Sequence, residues 1–194
     1  MRRGMAKVKI CGVNDAGFAR EAERLGADYV GVIFAEGSPR RVTLEGAREI
    51  VSALAGRARA VGVFVSAPPD EIAATARAAG IGVVQLHRRA SQEDVDRLRA
   101  QGFEVWALAG GAAADALLFD SSHGDGETLL RRGPWKTVLA GGIGADNLAE
   151  AIRSGADVID ASGSLETAPG VKSVRRLEDF MAEFSRIVNE SEDA

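Results

Sequence analysis

The chain predicts one α/β domain folded as a compact (β/α)8 TIM barrel, and three observations carry that reading. Eight short apolar runs alternate with amphipathic stretches from end to end. Glycines stand where helices must stop and strands begin. No Gly-x-Gly-x-x-Gly follows the first apolar run, which sets aside an open dinucleotide-binding sheet. Strand–helix alternation calls for a parallel sheet, and eight units favour its closure into a barrel.

The apolar runs at 8–11, 29–34, 60–65, 82–86, 104–108, 116–119, 137–140 and 158–160 are rich in Val, Ile, Leu and Phe and carry little charge. Strands covered on both faces have that composition. Helical periodicity fills 15–25, 44–54, 70–79, 92–100, 147–153 and 174–188. Thr43, Ser91 and Ser173 precede helical runs and are suited to accept from the first free backbone N–H groups. Asp94, three residues after Ser91, suggests an acidic capping box. Gly26, Gly80 and Gly155 each follow a helix and precede a strand, where a positive φ favours glycine. Between Leu108 and Ala116 lies only Ala-Gly-Gly-Ala-Ala-Ala-Asp. A parallel crossover normally takes about a dozen residues, so the fifth helix must be missing or reduced to a loop.

The 194 residues suit a single domain, and the ends, 1–5 and 189–194, are expected to be disordered. Met5 can serve as a start, and no apolar stretch behind Arg2 and Arg3 marks a signal peptide. The net charge of −4 leaves no electrostatic footprint for nucleic acid, and no apolar run approaches the ~20 residues of a membrane helix. A lone cysteine, Cys11, rules out an internal disulfide and suits a cytoplasmic location. With that cysteine and the distant His87 and His123, no metal-site signature is present.

In a barrel of this kind chemistry sits where the strands end at their C-termini. Strand one ends Lys9-Ile10-Cys11-Gly12 and strand two leads to Ser38-Pro39-Arg40. Strand four ends Gln85-Leu86-His87, strand six ends Asp120-Ser121, strand seven Gly141-Gly142 and strand eight Asp160-Ala161-Ser162-Gly163-Ser164. Lys9 and Cys11 share a face. Lys9 must lie one layer deeper, with Asp160 on the adjoining strand as its partner, since a buried ammonium needs one. A free cysteine is as often a small packing residue as a reactive one. Asp120 is either a loop-starting cap or an acid at the mouth. His87 and Gln85 share a face, and His87 is more at home in a hydrogen bond than as a base. His123 falls in a glycine-rich loop and is expected to be solvated. The glycines and serines after strands seven and eight suit a phosphate, because glycine lets backbone N–H groups approach the anion. A small phosphorylated molecule is the expected ligand.

Lys9-Ile10-Cys11-Gly12, Ser38-Pro39-Arg40, Val61-Gly62-Val63-Phe64-Val65, Val84-Gln85-Leu86-His87, Leu139-Ala140-Gly141-Gly142 and Ala168-Pro169-Gly170-Val171-Lys172 together resemble the phosphoribosylanthranilate isomerase family of tryptophan biosynthesis over nearly the whole chain. The resemblance implies an Amadori rearrangement of an aminoaldose phosphate to its ketose, without cofactor or metal, by a monomer or homodimer. It assigns Cys11 as general base, Asp120 as general acid and Arg40 as the contact of the anthranilate carboxylate. It also places Lys9, Gln85 and His87 at the substrate and Gly141, Gly142, Ser162, Gly163 and Ser164 at the phosphate. A cation such as Lys9 is expected to draw the Cys11 thiol toward its thiolate. Asp120 must instead keep its proton, which burial or a neighbouring carboxylate favours. The chain departs from the family pattern at Ser162-Gly163-Ser164, where Ser-Ser-Gly is usual, and at Arg88, where Gly is usual. A related isomerase of another phosphoribosyl or aminosugar phosphate, or a silent ligand-binding paralogue, are the competing readings.

Overall fold

The computed structural model describes residues 6–121 and 134–192. Eight parallel strands close into a barrel in chain order: β1 (Lys7–Cys11), β2 (Tyr29–Ile33), β3 (Arg59–Phe64), β4 (Val83–Leu86), β5 (Glu104–Leu108), β6 (Ala116–Asp120), β7 (Lys136–Ala140) and β8 (Val158–Ala161). β8 returns to β1 with Lys9 opposite Asp160. Outside run α1 (Ala16–Arg24), α2 (Leu44–Ala53), α3 (Pro69–Ala79), α4 (Gln92–Ala100), α5 (Leu148–Arg153) and α6 (Val174–Glu192). No helix joins β5 to β6, as the short connection requires. The segment with His123-Gly124-Asp125-Gly126-Glu127 lies outside the described residues.

The two-residue period of a strand divides the core in two. Outward side chains such as Val8, Ile10, Val30, Val84 and Ile159 pack with Ile50, Ile72, Leu98, Leu148 and Leu177 from the helices. Inward ones, Tyr29, Val61, Val83, Trp106, Leu118, Val138 and Val158, fill the barrel from below. Each large aliphatic side chain so buried contributes about 1.5–3 kcal/mol. Trp106 meets Tyr29 edge to face at 4.9 Å and donates its indole N–H to Glu104. That plug leaves the cavity to open only at the C-terminal ends.

The caps follow the expected chemistry. Thr43 Oγ1 accepts from Gly46 N at 3.1 Å, Ser91 Oγ from Asp94 N at 3.1 Å and Ser173 Oγ from Arg176 N at 3.3 Å. Gly26, Gly80 and Gly155 all have positive φ. One expectation needs correction. The Asp94 carboxylate accepts from Arg88 at 2.8 Å rather than closing a capping box, because a guanidinium within reach is the stronger donor. The last helix, read from the sequence to 188, runs on as α6 to Glu192, supported by the i,i+4 pair of Arg186 with Glu190 at 2.6 Å.

The chain after β8 does not run directly to the last helix. It first makes a 3-10 turn, Gly163–Leu165, and then a small hairpin, β9 (Glu166–Ala168) and β10 (Val171–Lys172). Gly170 makes its turn at φ 81°, packed so closely on the Pro39 carbonyl that any Cβ would collide with it. The hairpin is thereby pressed against the loop that carries Arg40.

Candidate active site

A cavity of about 510 Å³ opens at the C-terminal mouth of the barrel. Its lining includes Cys11, Arg40, Gln85, His87, Asp120, Gly141, Gly142, Asp160, Ser162 and Gly163. Residues spread over 150 positions of sequence meet here because each ends a strand or begins the loop after one.

Cys11 ends β1 pointing inward, buried, beside Gly31 of β2. A Cβ on Gly31 would stand 2.7 Å from the Cys11 sulfur, so the missing side chain is what leaves room for the thiol. One layer down, Lys9 is fully buried and its ammonium meets Asp160 Oδ2 at 2.6 Å. Burial alone lowers the Lys9 pKa, but the charges of Asp160 and Cys11 outweigh it and raise it, so the ammonium persists. Lys9, expected at the substrate, does not line the cavity. Its layer lies below the floor, and its charge acts there through Asp160 and Cys11. The expected net effect on the cysteine is also reversed. Burial pushes the Cys11 thiol above its ordinary range, and Lys9 and Lys172 only partly oppose it. Desolvating a thiolate costs more than these cations return.

Across the barrel, Asp120 ends β6 with its side chain 8% exposed. Its Oδ2 lies 3.4 Å from His87 Nε2, and Gln85 Nε2 stands 3.4 Å from His87 Nδ1. His87 therefore sits between Gln85 and Asp120 at the rim. A Cβ on Gly141 would lie 2.5 Å from Asp120 Oδ1, and Gly141 has φ 93°, so only glycine fits beside that carboxylate. Two buried acceptors, Gln85 Oε1 and Asp160 Oδ1, have no hydrogen-bond partner among the described residues, and both residues line the cavity. Sugar hydroxyls are donors of the kind these oxygens lack.

Gly142 and Gly163 are exposed at the rim, Gly142 with φ 66°. Ser162 donates its hydroxyl to the Cys11 carbonyl at 3.0 Å. Ser164 stands apart from the lining and donates to the Ile143 carbonyl at 2.5 Å, tying the β7 and β8 loops together. The β7 and β8 glycines thus share one rim, whereas the two serine hydroxyls are spent on backbone carbonyls.

Arg40 lies across the end of β1. A Cβ on Gly12 would fall 2.5 Å from Arg40 Cδ. The Arg40 guanidinium holds Glu166 through Nε at 2.6 Å and Nη2 at 2.7 Å. Lys172 meets the same carboxylate at 2.9 Å and donates to the Ser162 carbonyl at 3.0 Å. Sequence reasoning assigned no role to Asp160 beyond pairing Lys9 and none to Glu166 or Lys172. The only signal for the last two was the Ala-Pro-Gly-Val-Lys stretch, whose hairpin carries Lys172 inward. Among the described residues no cluster of three or more His, Cys, Asp or Glu is placed to hold a metal ion, and no helix is long and apolar enough to cross a membrane.

Residues 8–183 match the family model described as N-(5′-phosphoribosyl)anthranilate (PRA) isomerase. The chain is 39% identical to the N-(5′-phosphoribosyl)anthranilate isomerase of Rubrobacter xylanophilus, over 92% of this chain and 98% of that one. Among solved structures, phosphoribosyl anthranilate isomerase from Thermus thermophilus superposes with a TM-score of 0.83 at 34% identity, covering 93% and 99% of the two chains. A further phosphoribosyl anthranilate isomerase, in complex with reduced 1-(o-carboxyphenylamino)-1-deoxyribulose 5-phosphate, matches with a TM-score of 0.79 at 25% identity, covering 94% and 100%.

Proposed function

The chain belongs to the N-(5′-phosphoribosyl)anthranilate isomerase family, and from that premise we propose how its residues divide the reaction. The enzyme converts N-(5′-phosphoribosyl)anthranilate to 1-(2-carboxyphenylamino)-1-deoxyribulose 5-phosphate. No atom is gained or lost. Asp120 gives its proton to the ring oxygen, which opens the sugar and leaves a Schiff base at C1′. The Cys11 thiolate removes the C2′ proton, and the resulting enamine relaxes to the ketose. These are proton transfers, the task of a positioned acid and base.

The observation that carries this reading is that Cys11 on β1 and Asp120 on β6, strands that are not neighbours, line one cavity. A sugar lying between them would present its C1′–C2′ unit to both. Arg40 takes the anthranilate carboxylate. The unpartnered oxygens of Gln85 and Asp160 accept from ribose hydroxyls, with His87 beside them. Backbone N–H groups around Gly141, Gly142, Ser162 and Gly163 hold the phosphate. Ser164 serves that loop by fixing it to Ile143. All these residues come from one copy of the chain, so a monomer suffices and a homodimer would leave the site as it is. We place the enzyme in the cytoplasm, where its free Cys11 stays reduced.

The test is turnover of freshly prepared N-(5′-phosphoribosyl)anthranilate, followed by loss of its fluorescence, with inorganic phosphate or sulfate added as competitor. Either anion at millimolar level should raise KM without lowering kcat. Absence of turnover refutes the isomerase assignment, and turnover indifferent to both anions refutes the phosphate site.

A further inference from the structure

A guanidinium has two edges that can each grip a carboxylate: one made by Nε and an Nη, the other by the two Nη atoms. Glu166 occupies the first edge of Arg40, with Nε to Oε1 at 2.6 Å and Nη2 to Oε2 at 2.7 Å. The Nη1–Nη2 edge is not part of that grip, and Arg40 lines the cavity. Glu166 itself is immobilised. Its side chain is 3% exposed, Lys172 meets it at 2.9 Å and Gly170 N donates to it at 3.2 Å. Arg176 also donates to the Glu166 main-chain carbonyl. One carboxylate against the two cations Arg40 and Lys172 leaves the cluster net positive, so an incoming anion is still attracted.

We infer that Glu166 is a positioning residue for substrate: it sets the plane of the Arg40 guanidinium so that its free edge meets the substrate carboxylate. This rests on the reading that Arg40 takes that carboxylate. Arg40 begins in a loop after β2 and spans Gly12 to reach the β9 strand, 126 residues away in sequence. Without Glu166 its long side chain would have many rotamers to lose on binding. The hairpin after β8 thus does for the carboxylate what the β7 and β8 glycines do for the phosphate.

The experiment measures kcat and KM for N-(5′-phosphoribosyl)anthranilate, and inhibition by inorganic phosphate, in Glu166→Gln, Glu166→Asp, Arg40→Ala and the pair Glu166→Gln/Arg40→Ala. Thermal melts accompany each. Glu166→Asp keeps the charge that balances Lys172 but is a methylene too short for the bidentate grip, so it stays informative should Glu166→Gln fail to fold. Both Glu166 variants should raise KM about tenfold, the worth of one charge-assisted hydrogen bond, with a smaller change in kcat and unchanged inhibition by phosphate. In the Arg40→Ala background the Glu166 substitution should add nothing. A raised KM in Arg40→Ala with an unchanged KM in every folded Glu166 variant overturns the positioning role and keeps Arg40 as the contact. An unchanged KM in Arg40→Ala itself overturns the carboxylate reading on which the inference stands. Independent, multiplying effects of the two substitutions overturn the claim that Glu166 acts through Arg40.

Discussion

Replacing Gly31 with alanine should disable the enzyme while leaving it folded. The added methyl would sit 2.7 Å from the Cys11 sulfur and 3.2 Å from Cys11 Cβ. Comfortable contacts between such atoms lie near 3.5–4.0 Å, so the sulfur must move by about 1 Å. It cannot move downward, because Lys9 and Asp160 fill the layer below. It must therefore shift sideways, off the line to C2′. A misplacement of about 1 Å costs on the order of 10²-fold in rate. Overpacking of this kind also costs about 1–3 kcal/mol of stability, a melting shift of roughly 2–4 °C per kcal/mol for a chain of this size. Gly82→Ala is the matched control, since a Cβ there meets nothing within 4 Å. The assay is kcat from the fluorescence loss beside a thermal melt. A Gly31→Ala enzyme with kcat within twofold of the parent would refute both the sulfur's placement and its role as base.

Cys11→Ser and Asp120→Asn should each lower kcat by about 10²–10⁴-fold, and the double variant should lose less than the product because both serve one proton-transfer sequence. Full activity in Cys11→Ser would make the thiol a packing residue. The pH profile of kcat/KM follows the free enzyme. Burial raises the Cys11 pKa, so the thiolate increases only as pH climbs through that raised value, while the proposed acid must still hold its proton; kcat/KM should therefore follow a bell with an acidic and an alkaline limb. A profile that lacks the alkaline limb would contradict the protonated acid. Glu166 supplies an acid limb for stability. Burial alone raises its carboxyl, but Arg40 and Lys172 outweigh that and hold it at about 2, below an ordinary 4.5. Its stabilisation is present above 4.5 and disappears as pH falls toward 2, amounting to about 3 kcal/mol at most. Acid unfolding of Glu166→Gln should begin from a lower plateau and lose less across that window. A parallel acid-unfolding curve would contradict the network.

The eight barrel strands, the six helices of the described residues and the missing fifth helix were legible because periodicity, caps and loop length are local properties of sequence. Thr43, Ser91 and Ser173 cap as their neighbours dictate, and Gly26, Gly80 and Gly155 turn at the positive φ that favours glycine. Barrel closure follows from eight units, and with it the mouth where Cys11, Arg40, Gln85, His87 and Asp120 meet. The pairing of Lys9 with Asp160 was also within reach, since strands one and eight must adjoin and a buried ammonium needs an anion. What the side chains do once there was decided by the tertiary structure alone. Lys9 is excluded from the cavity by depth, and Ser162 and Ser164 spend their hydroxyls on carbonyls. The Cys11 titration turned on a competition between burial and charge that exists only in the folded interior. Glu166 came to bridge Arg40 and Lys172 through a hairpin seated on Pro39 by one glycine. Local sequence sets backbone form because its interactions span a few residues. Desolvation and long-range ion pairs depend on distances that only chain closure creates.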